Sequence, residues 1–513
     1  MTAIFNGRGA SFLFATLLGG LSVAGFAPLG WYPLPILALA GLFALVGVAT
    51  PGEAFRLGLA FGLGLFLSGV SWVYVSLSTY GGMPVPIAVV ATVLFCAVIA
   101  LFPALAMWAG ARLTQGAARV TLALPAAWVL GEWLRGWIFT GFPWLAVGYS
   151  QAPASPLAGF APLLGVYGVS LMAALIAGAL ATLIPSIATR SAFSRRGFMP
   201  DLFAIALLLA GLGLQQIDWT RPAGAPVSVA LLQGNVPQEM KFNPEHLRTT
   251  LDAYARQVLA SDARLIVLPE TALPLFRSAV PRAYLDLLAV HARRAAGDVL
   301  VGLPEDEGRA HYFNSVISLG SSPEGLYRKQ HLVPFGEFVP WGFRWAVDLM
   351  QIPLGDFSRG TPEQAPIAAA GERLAVNVCY EDAFGEERIA AARDATLLVN
   401  VSNDAWFGAS LAPWQHLQIG AMRSLETGRW QLRANNTGIT AVLDERGRVR
   451  AQLPPFTAGT LAAQAQGRNG LTPYTRWGNR PLLALAFGLL GLAIWLGHRY
   501  PATLRSQTST PPA

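Results

Sequence analysis

Long apolar runs, separated by short links rich in glycine, proline and arginine, fill the first 217 residues, and one more run lies near the C-terminus. A helix needs about 20 apolar residues to cross roughly 30 Å of hydrocarbon. Seven runs reach or approach that length, at residues 10–29, 34–48, 57–77, 86–108, 121–138, 163–187 and 202–217, and an eighth occupies residues 481–496. The fifth carries Glu132 and Arg135 near its end, and the second and seventh are short. The first ends in a small-residue stretch resembling a signal-cleavage site, but six further runs behind it predict an uncleaved anchor.

Between residues 218 and 478 the pattern changes. Short β-rich runs at 227–232, 265–268, 299–302, 316–319, 374–378, 397–401 and 440–443 are interleaved with helical patterns at 246–260, 282–296, 386–393 and 414–429. Such alternation predicts an α/β layered domain. The expected organisation is a seven-helix membrane domain over 1–217, an α/β domain over 218–478, and an eighth helix with a tail over 479–513.

Composition agrees: 53% of residues are hydrophobic and 13% charged, against about 25% charged in a soluble domain. The net charge of +7 raises the question of a nucleic-acid partner, and its distribution excludes one. The two outer parts hold three acidic residues, Glu53, Glu132 and Asp201, against eleven arginines, a balance of +8 that leaves the middle at −1. Arg8, Arg56, Arg112, Arg119, Arg190, Arg195, Arg196, Arg499 and Arg505 fall on one side of the predicted spans. Positive loops stay in the cytoplasm. The N-terminus is therefore expected inside and the α/β domain outside.

Two cysteines, Cys96 in an apolar run and Cys379 in the α/β domain, are not placed to pair, and six scattered histidines give no zinc-binding spacing. No metal or cofactor is expected. Of 36 basic residues only Lys241 and Lys329 are lysines, which suggests lysine was kept where a compact amine is needed. Reactive groups in α/β domains tend to lie beyond the carboxyl ends of strands. Three residues fit: Glu270 in LPETALP, Lys329 in YRKQHLVPFGEFVP and Cys379 in NVCYEDAF. A cysteine acts as the thiolate, which needs a base and a nearby positive charge. Glu270 and Lys329 supply those roles.

These three segments resemble the nitrilase superfamily of carbon-nitrogen hydrolases. Together with VALLQGNVPQ, NVSNDAWFG and PWQHLQIGAMRSLETGRWQLRANNTGITAV, they resemble more closely the apolipoprotein N-acyltransferase family, bacterial inner-membrane enzymes that complete lipoprotein maturation. The resemblance implies a four-layer α-β-β-α sandwich on an eight-helix transmembrane domain. It makes Cys379 the nucleophile, Glu270 the general base and acid, and Lys329 the oxyanion stabiliser, with the backbone N–H of Tyr380 completing the oxyanion hole. Glu337 and Glu381 are implied to support the triad, and Trp406 to contact substrate. Where the family pattern leads one to expect tryptophan after the first lysine, this chain has Phe242, an aromatic contact without an indole N–H.

The resemblance also implies a ping-pong reaction. A phospholipid, expected to be phosphatidylethanolamine, donates an acyl chain to Cys379, and the α-amine of a diacylglyceryl-cysteine lipoprotein accepts it. The apolar stretch over residues 340–360, including Trp345, reads as a membrane-dipping lid. A membrane-tethered amidase, in which water resolves the acyl-enzyme, would share the triad. A transporter is disfavoured because charged groups are missing from the middle of the spans.

Overall fold

The computed structural model describes residues 8–183, 199–241, 243–308, 311–340, 342 and 356–499. Apolar helices stand at Arg8–Ser22, Pro33–Gly47, Pro51–Gly69, Val85–Leu113, Ala161–Ala181, Met199–Leu214 and Arg480–Arg499. Among the described residues three are long and apolar enough to cross a membrane: Val85–Leu113, Arg480–Arg499, and Pro156–Ala181, which includes the 3-10 turn before Ala161. Pro51–Gly69 and Val73–Tyr80, bent by 56°, make a fourth if they form one span, while Gly9–Gly25, Pro33–Gly47 and Leu202–Leu214 are apolar but shorter. Local chemistry sets the start of Pro51–Gly69. Thr50 and Glu53 form a reciprocal capping box and Pro51 occupies the first turn, where its missing N–H costs nothing. This helix packs on Arg8–Ser22 with backbones in contact: a Cβ on Gly64 would stand 2.0 Å from the Thr16 carbonyl oxygen. Small residues serve helix association where lipid offers no hydrophobic drive.

The fifth predicted run is not one continuous helix. Leu124–Arg135 stops at Gly136, and a turn follows in which Phe139 has φ 56°. The cause is the buried pair noted in the sequence. Glu132 accepts hydrogen bonds from Trp128 Nε1 at 2.8 Å and the Val147 N–H at 2.9 Å, and Arg135 donates to the Phe142 and Trp144 carbonyls. Both charges are thus spent folding the 136–147 loop back onto its own helix.

The α/β part contains two six-stranded sheets. One runs in the order Gly459–Ala465, Val227–Gln233, Leu265–Val267, Asp298–Glu307, His311–Gly320 and Leu326–Arg328. The other runs Val449–Gln452, Ala441–Leu443, Trp430–Asn435, Leu397–Ser402, Glu372–Val378 and Ile367–Ala369. The three strands that follow one another in parallel in each sheet are all interior. They include the fully buried Leu265–Val267 and Leu397–Ser402, as expected of strands covered on both faces. The sheets touch through Trp430–Asn435 and Val227–Gln233, with helices Arg282–Arg294 on the first and Gly385–Asp394 and Ala412–Thr427 on the second.

The helical and α/β parts meet through polar anchors as well as apolar packing. Gln415 accepts from Trp72 Nε1 and Trp144 Nε1 and donates to the Gly69 carbonyl. Glu426 accepts the Val166 N–H at 2.8 Å, just after Gly165 interrupts the helical backbone at φ 68°.

Candidate active site

Glu270, Lys329 and Cys379 each lie just beyond a strand end, after Leu265–Val267, Leu326–Arg328 and Glu372–Val378 respectively. Glu270 sits in a loop pressed across the neighbouring strand at Gly302, where an added Cβ would stand 2.3 Å from the Pro269 carbonyl oxygen and 3.0 Å from Glu270 Cα. Only glycine admits so close an approach. Cys379 opens a 3-10 turn, Cys379–Ala383, and has φ 55°. For a residue with a Cβ this left-handed conformation costs on the order of 1–3 kcal/mol and tends to occur at functional sites.

Lys329 is 1% exposed. Its Nζ lies 2.8 Å from Glu337 Oε2 and 3.5 Å from Glu270 Oε1. Asn314, from strand His311–Gly320, donates through one amide nitrogen to Glu270 Oε1 at 2.7 Å and to Glu337 Oε1 at 2.8 Å. Burial opposes charge on Lys329, but Glu337 and Glu270 outweigh it and hold the ammonium above its usual pKa. Burial, followed by the charge of Glu270, pushes the Cys379 thiol well above its usual range, with Lys329 pulling the other way. The resting thiol is neutral at pH 7, so its proton must be removed locally.

The two supporting carboxylates differ. Glu337 belongs to the charge cluster. Glu381 is fully buried, lies 3.8 Å from the Arg388 guanidinium, and mainly holds backbone: it accepts from Tyr327 Oη, from Gln330 N at 2.7 Å, from His331 N at 3.0 Å and from Val378 N at 2.7 Å. It thereby joins the chain after Lys329 to the chain before Cys379. Tyr380 donates its hydroxyl to the Gly141 carbonyl at 3.0 Å and stacks on Trp144, linking the turn to the 136–147 loop. Trp406 is 39% exposed, its ring against Tyr80 and its carbonyl accepting from Ser76 Oγ. Phe242 and Trp345 lie outside the described residues, as does most of the 340–360 stretch.

Several groups were not singled out in the sequence. Asn314 is one; it lies two residues before the β-rich run at 316–319, and only the structure extends the strand over it. The Cys379 carbonyl accepts from Asn400 Nδ2 at 3.2 Å and faces His416 Nε2 at 3.2 Å, while His416 Nδ1 lies 3.0 Å from Asp404 Oδ1. Lys241, flagged by its rarity alone, is buried and donates to the Glu270 carbonyl at 3.0 Å.

Comparison with known proteins covers both halves of the chain. The apolipoprotein N-acyltransferase N-terminal domain family matches residues 18–179, and the carbon-nitrogen hydrolase family matches residues 228–474. Apolipoprotein N-acyltransferases from Nitrosomonas europaea and Ralstonia nicotianae are 52% and 47% identical to it, each over 94% of this chain and over 96% and 93% of their own lengths. The crystal structure of a carbon-nitrogen hydrolase from Helicobacter pylori G27 aligns with 47% of this chain and 89% of its own, at 17% identity and a TM-score of 0.35. Identity of this depth across both the helical and the α/β parts makes the chain a member of the apolipoprotein N-acyltransferase family, with a domain of carbon-nitrogen hydrolase type.

Proposed function

We propose that the chain moves an acyl group from a membrane phospholipid to the α-amine of the diacylglyceryl-cysteine at a bacterial lipoprotein N-terminus, by way of a thioester on Cys379. The observation that carries this reading is the buried Lys329 ammonium, set between Glu337 and Glu270, in a cluster whose charges act on a left-handed cysteine at a strand end.

In the first half-reaction Glu270 takes the thiol proton and Sγ attacks the ester carbonyl, forming the C–S bond. Lys329 and the Tyr380 N–H hold the oxyanion. The peptide between Cys379 and Tyr380 is planar and trans, so pinning the Cys379 carbonyl to Asn400 turns the Tyr380 N–H to the opposite side. The C–O bond then breaks and Glu270 returns its proton to the departing lysophospholipid. In the second half-reaction the acceptor amine, with a pKa of about 7.7–8.0, attacks the thioester. Glu270 takes its proton and passes it to the leaving thiol. Phosphatidylethanolamine is the proposed donor.

The acyl chains explain the fusion to apolar helices, since exposing each CH₂ to water costs about 0.8 kcal/mol. In this reading residues 1–217 contribute seven spans and 479–513 the eighth span and the tail. Residues 218–478 are the periplasmic domain of an inner-membrane enzyme, their two sheets the inner layers of an α-β-β-α sandwich. The contact of Trp406 with Ser76 and Tyr80 supports a site that opens beside the helices, and the 340–360 stretch is assigned as its lid.

The test is incubation of purified enzyme with acyl-labelled phosphatidylethanolamine, assay for a hydroxylamine-sensitive adduct, and a chase with diacylated lipopeptide. The label should appear on the wild type, move to the peptide, and be absent from Cys379→Ala and Glu270→Gln. Release to water in the presence of lipopeptide would instead identify a hydrolase, and an adduct persisting in Cys379→Ala would overturn the mechanism.

A further inference from the structure

The chain has two lysines among its 36 basic residues, and the fold brings both to Glu270. Lys329 approaches the carboxylate, whereas Lys241 Nζ donates to the backbone carbonyl of the same residue at 3.0 Å. Lys241 is 4% exposed and ends the short helix Gln238–Lys241. That segment is fastened to the other sheet's side of the site: Asn403 Nδ2 donates to Gln238 Oε1 at 2.7 Å, and Asn436 exchanges hydrogen bonds with both backbone groups of Val236. The amine is therefore delivered to Glu270 by a built connection.

A neutral donor would satisfy a single carbonyl, and burying an ammonium costs several kcal/mol unless its charge is used. The surroundings show a use. The charges bearing on Cys379 include Glu270, Asp404 and Glu337, three acidic groups, against the cation of Lys329. Lys329 is itself held by two of the three. Formation of a thiolate would add a further negative charge. Lys241 is the second cation, and the groups that bear on it are Glu270 and, once ionised, Cys379. Burial lowers its pKa to about 8, with Glu270 and Cys379 opposing, which leaves it mostly protonated at neutral pH.

We propose that Lys241 is a positioning residue of this site with an electrostatic role: it clamps the Glu270 peptide and supplies the second positive charge that lets a thiolate form at Cys379. The inference rests on the reading of Cys379 as nucleophile and Glu270 as base. It differs from a purely structural tether, because a tether needs only a donor and this role needs the charge.

The test uses the full-length enzyme in a Cys96→Ala background, so that Cys379 is the one remaining thiol. Its alkylation by iodoacetamide is followed from pH 6 to 10, alongside acyl-adduct formation and thermal melting. Removing a nearby cation raises a thiol's pKa by roughly 1–3 units. Lys241→Gln keeps a donor without the charge, and should move the alkylation limb up by about one unit and slow alkylation at pH 7.5 about tenfold. Lys241→Met should do the same, and Lys241→Arg should keep the limb near its wild-type position. A limb that stays in place in Lys241→Gln overturns the proposal and leaves a tether. If Lys241→Met fails to melt cooperatively, the Gln and Arg variants still decide. Absence of any adduct on wild-type Cys379 would instead overturn the reading beneath the inference.

Discussion

Lys329 and Glu337 form a buried ion pair, with Nζ 2.8 Å from Oε2. The pair holds Lys329 with its ammonium also 3.5 Å from Glu270, so one cation is shared between the two carboxylates. Glu337→Gln should undo this sharing, drawing the ammonium onto Glu270 and away from the position it holds in the resting site. Truncating one partner of a buried hydrogen-bonded charge pair costs about 2–5 kcal/mol. Single-turnover acylation of Cys379 is expected to fall about 100-fold or more in Glu337→Gln. An unchanged rate would mean that the pair serves only the framework.

Glu381 should behave differently, because its four donors are three backbone N–H groups and the Tyr327 hydroxyl. Glutamine offers one acceptor oxygen and would turn an NH₂ toward the remaining donors. Each buried donor left unsatisfied costs about 1–3 kcal/mol. Glu381→Gln should therefore lower the melting temperature by several degrees and reduce activity together with stability. Full stability with lost activity would place Glu381 in the chemistry instead.

Much of this site could be read from residue type and position. Glu270 and Cys379 follow strands whose buried apolar runs are visible as short blocks, whereas the short, partly buried Leu326–Arg328 strand before Lys329 shows no such block; the structure brings Glu270 and Lys329 into contact. The strand Trp430–Asn435 was missed, although it is interior in its sheet. Its Gln431 and Arg433 pair with Asp382 and its Asn435 with Asp404, so the polar residues that hid the strand are buried in partnerships no local pattern reveals. Glu132 and Arg135 looked like residues at the end of a span. Their burial depends on Val147, Phe142 and Trp144 folding back, a tertiary event without periodicity. Asn314 and Lys241 act through contacts 44 and 29 positions away in the chain.

Gly302 sets how closely the Glu270 loop lies on its neighbouring strand. The Leu273 N–H donates to the Gly302 carbonyl at 3.2 Å, and a methyl group at Gly302 would collide with the Pro269 carbonyl. Overpacking of this kind costs about 1–3 kcal/mol. Gly302→Ala should fold with a lower melting temperature and acylate at least tenfold more slowly, since Glu270 must move with its backbone. Iodoacetamide alkylation of Cys379 at pH 9 should be affected less than acylation at pH 7.

The neutral resting thiol makes a pH prediction. Burial first, then Glu270, raises the Cys379 pKa in the folded protein above its unfolded value of about 8.5. The folded state therefore holds this proton more tightly, and the associated stability is fully present below the unfolded pKa and lost as pH rises beyond it. Melting temperatures measured from pH 7 to 10 should fall more steeply for the wild type than for Cys379→Ala. Parallel curves would show that the thiol is not held neutral by the fold.

Glu426 gives the second titration and bears on how the two parts of the molecule hold together. Its carboxylate accepts the Val166 N–H from the apolar helix and pairs with Arg423 at 2.8 Å. Burial outweighs Arg423 and raises its pKa from 4.5 to about 7. A folded pKa above the unfolded one means that protonation favours the folded state: the contribution is complete below about pH 4.5 and is lost as pH rises through about 7. Glutamine keeps an acceptor for Val166 and cannot titrate. The melting temperature of the wild type relative to Glu426→Gln should therefore decline between pH 5 and pH 8, by an amount on the order of 3 kcal/mol in stability at about 1.4 kcal/mol per pKa unit. A difference independent of pH would mean that Arg423 keeps Glu426 ionised throughout, and the junction would then be held by a permanent ion pair.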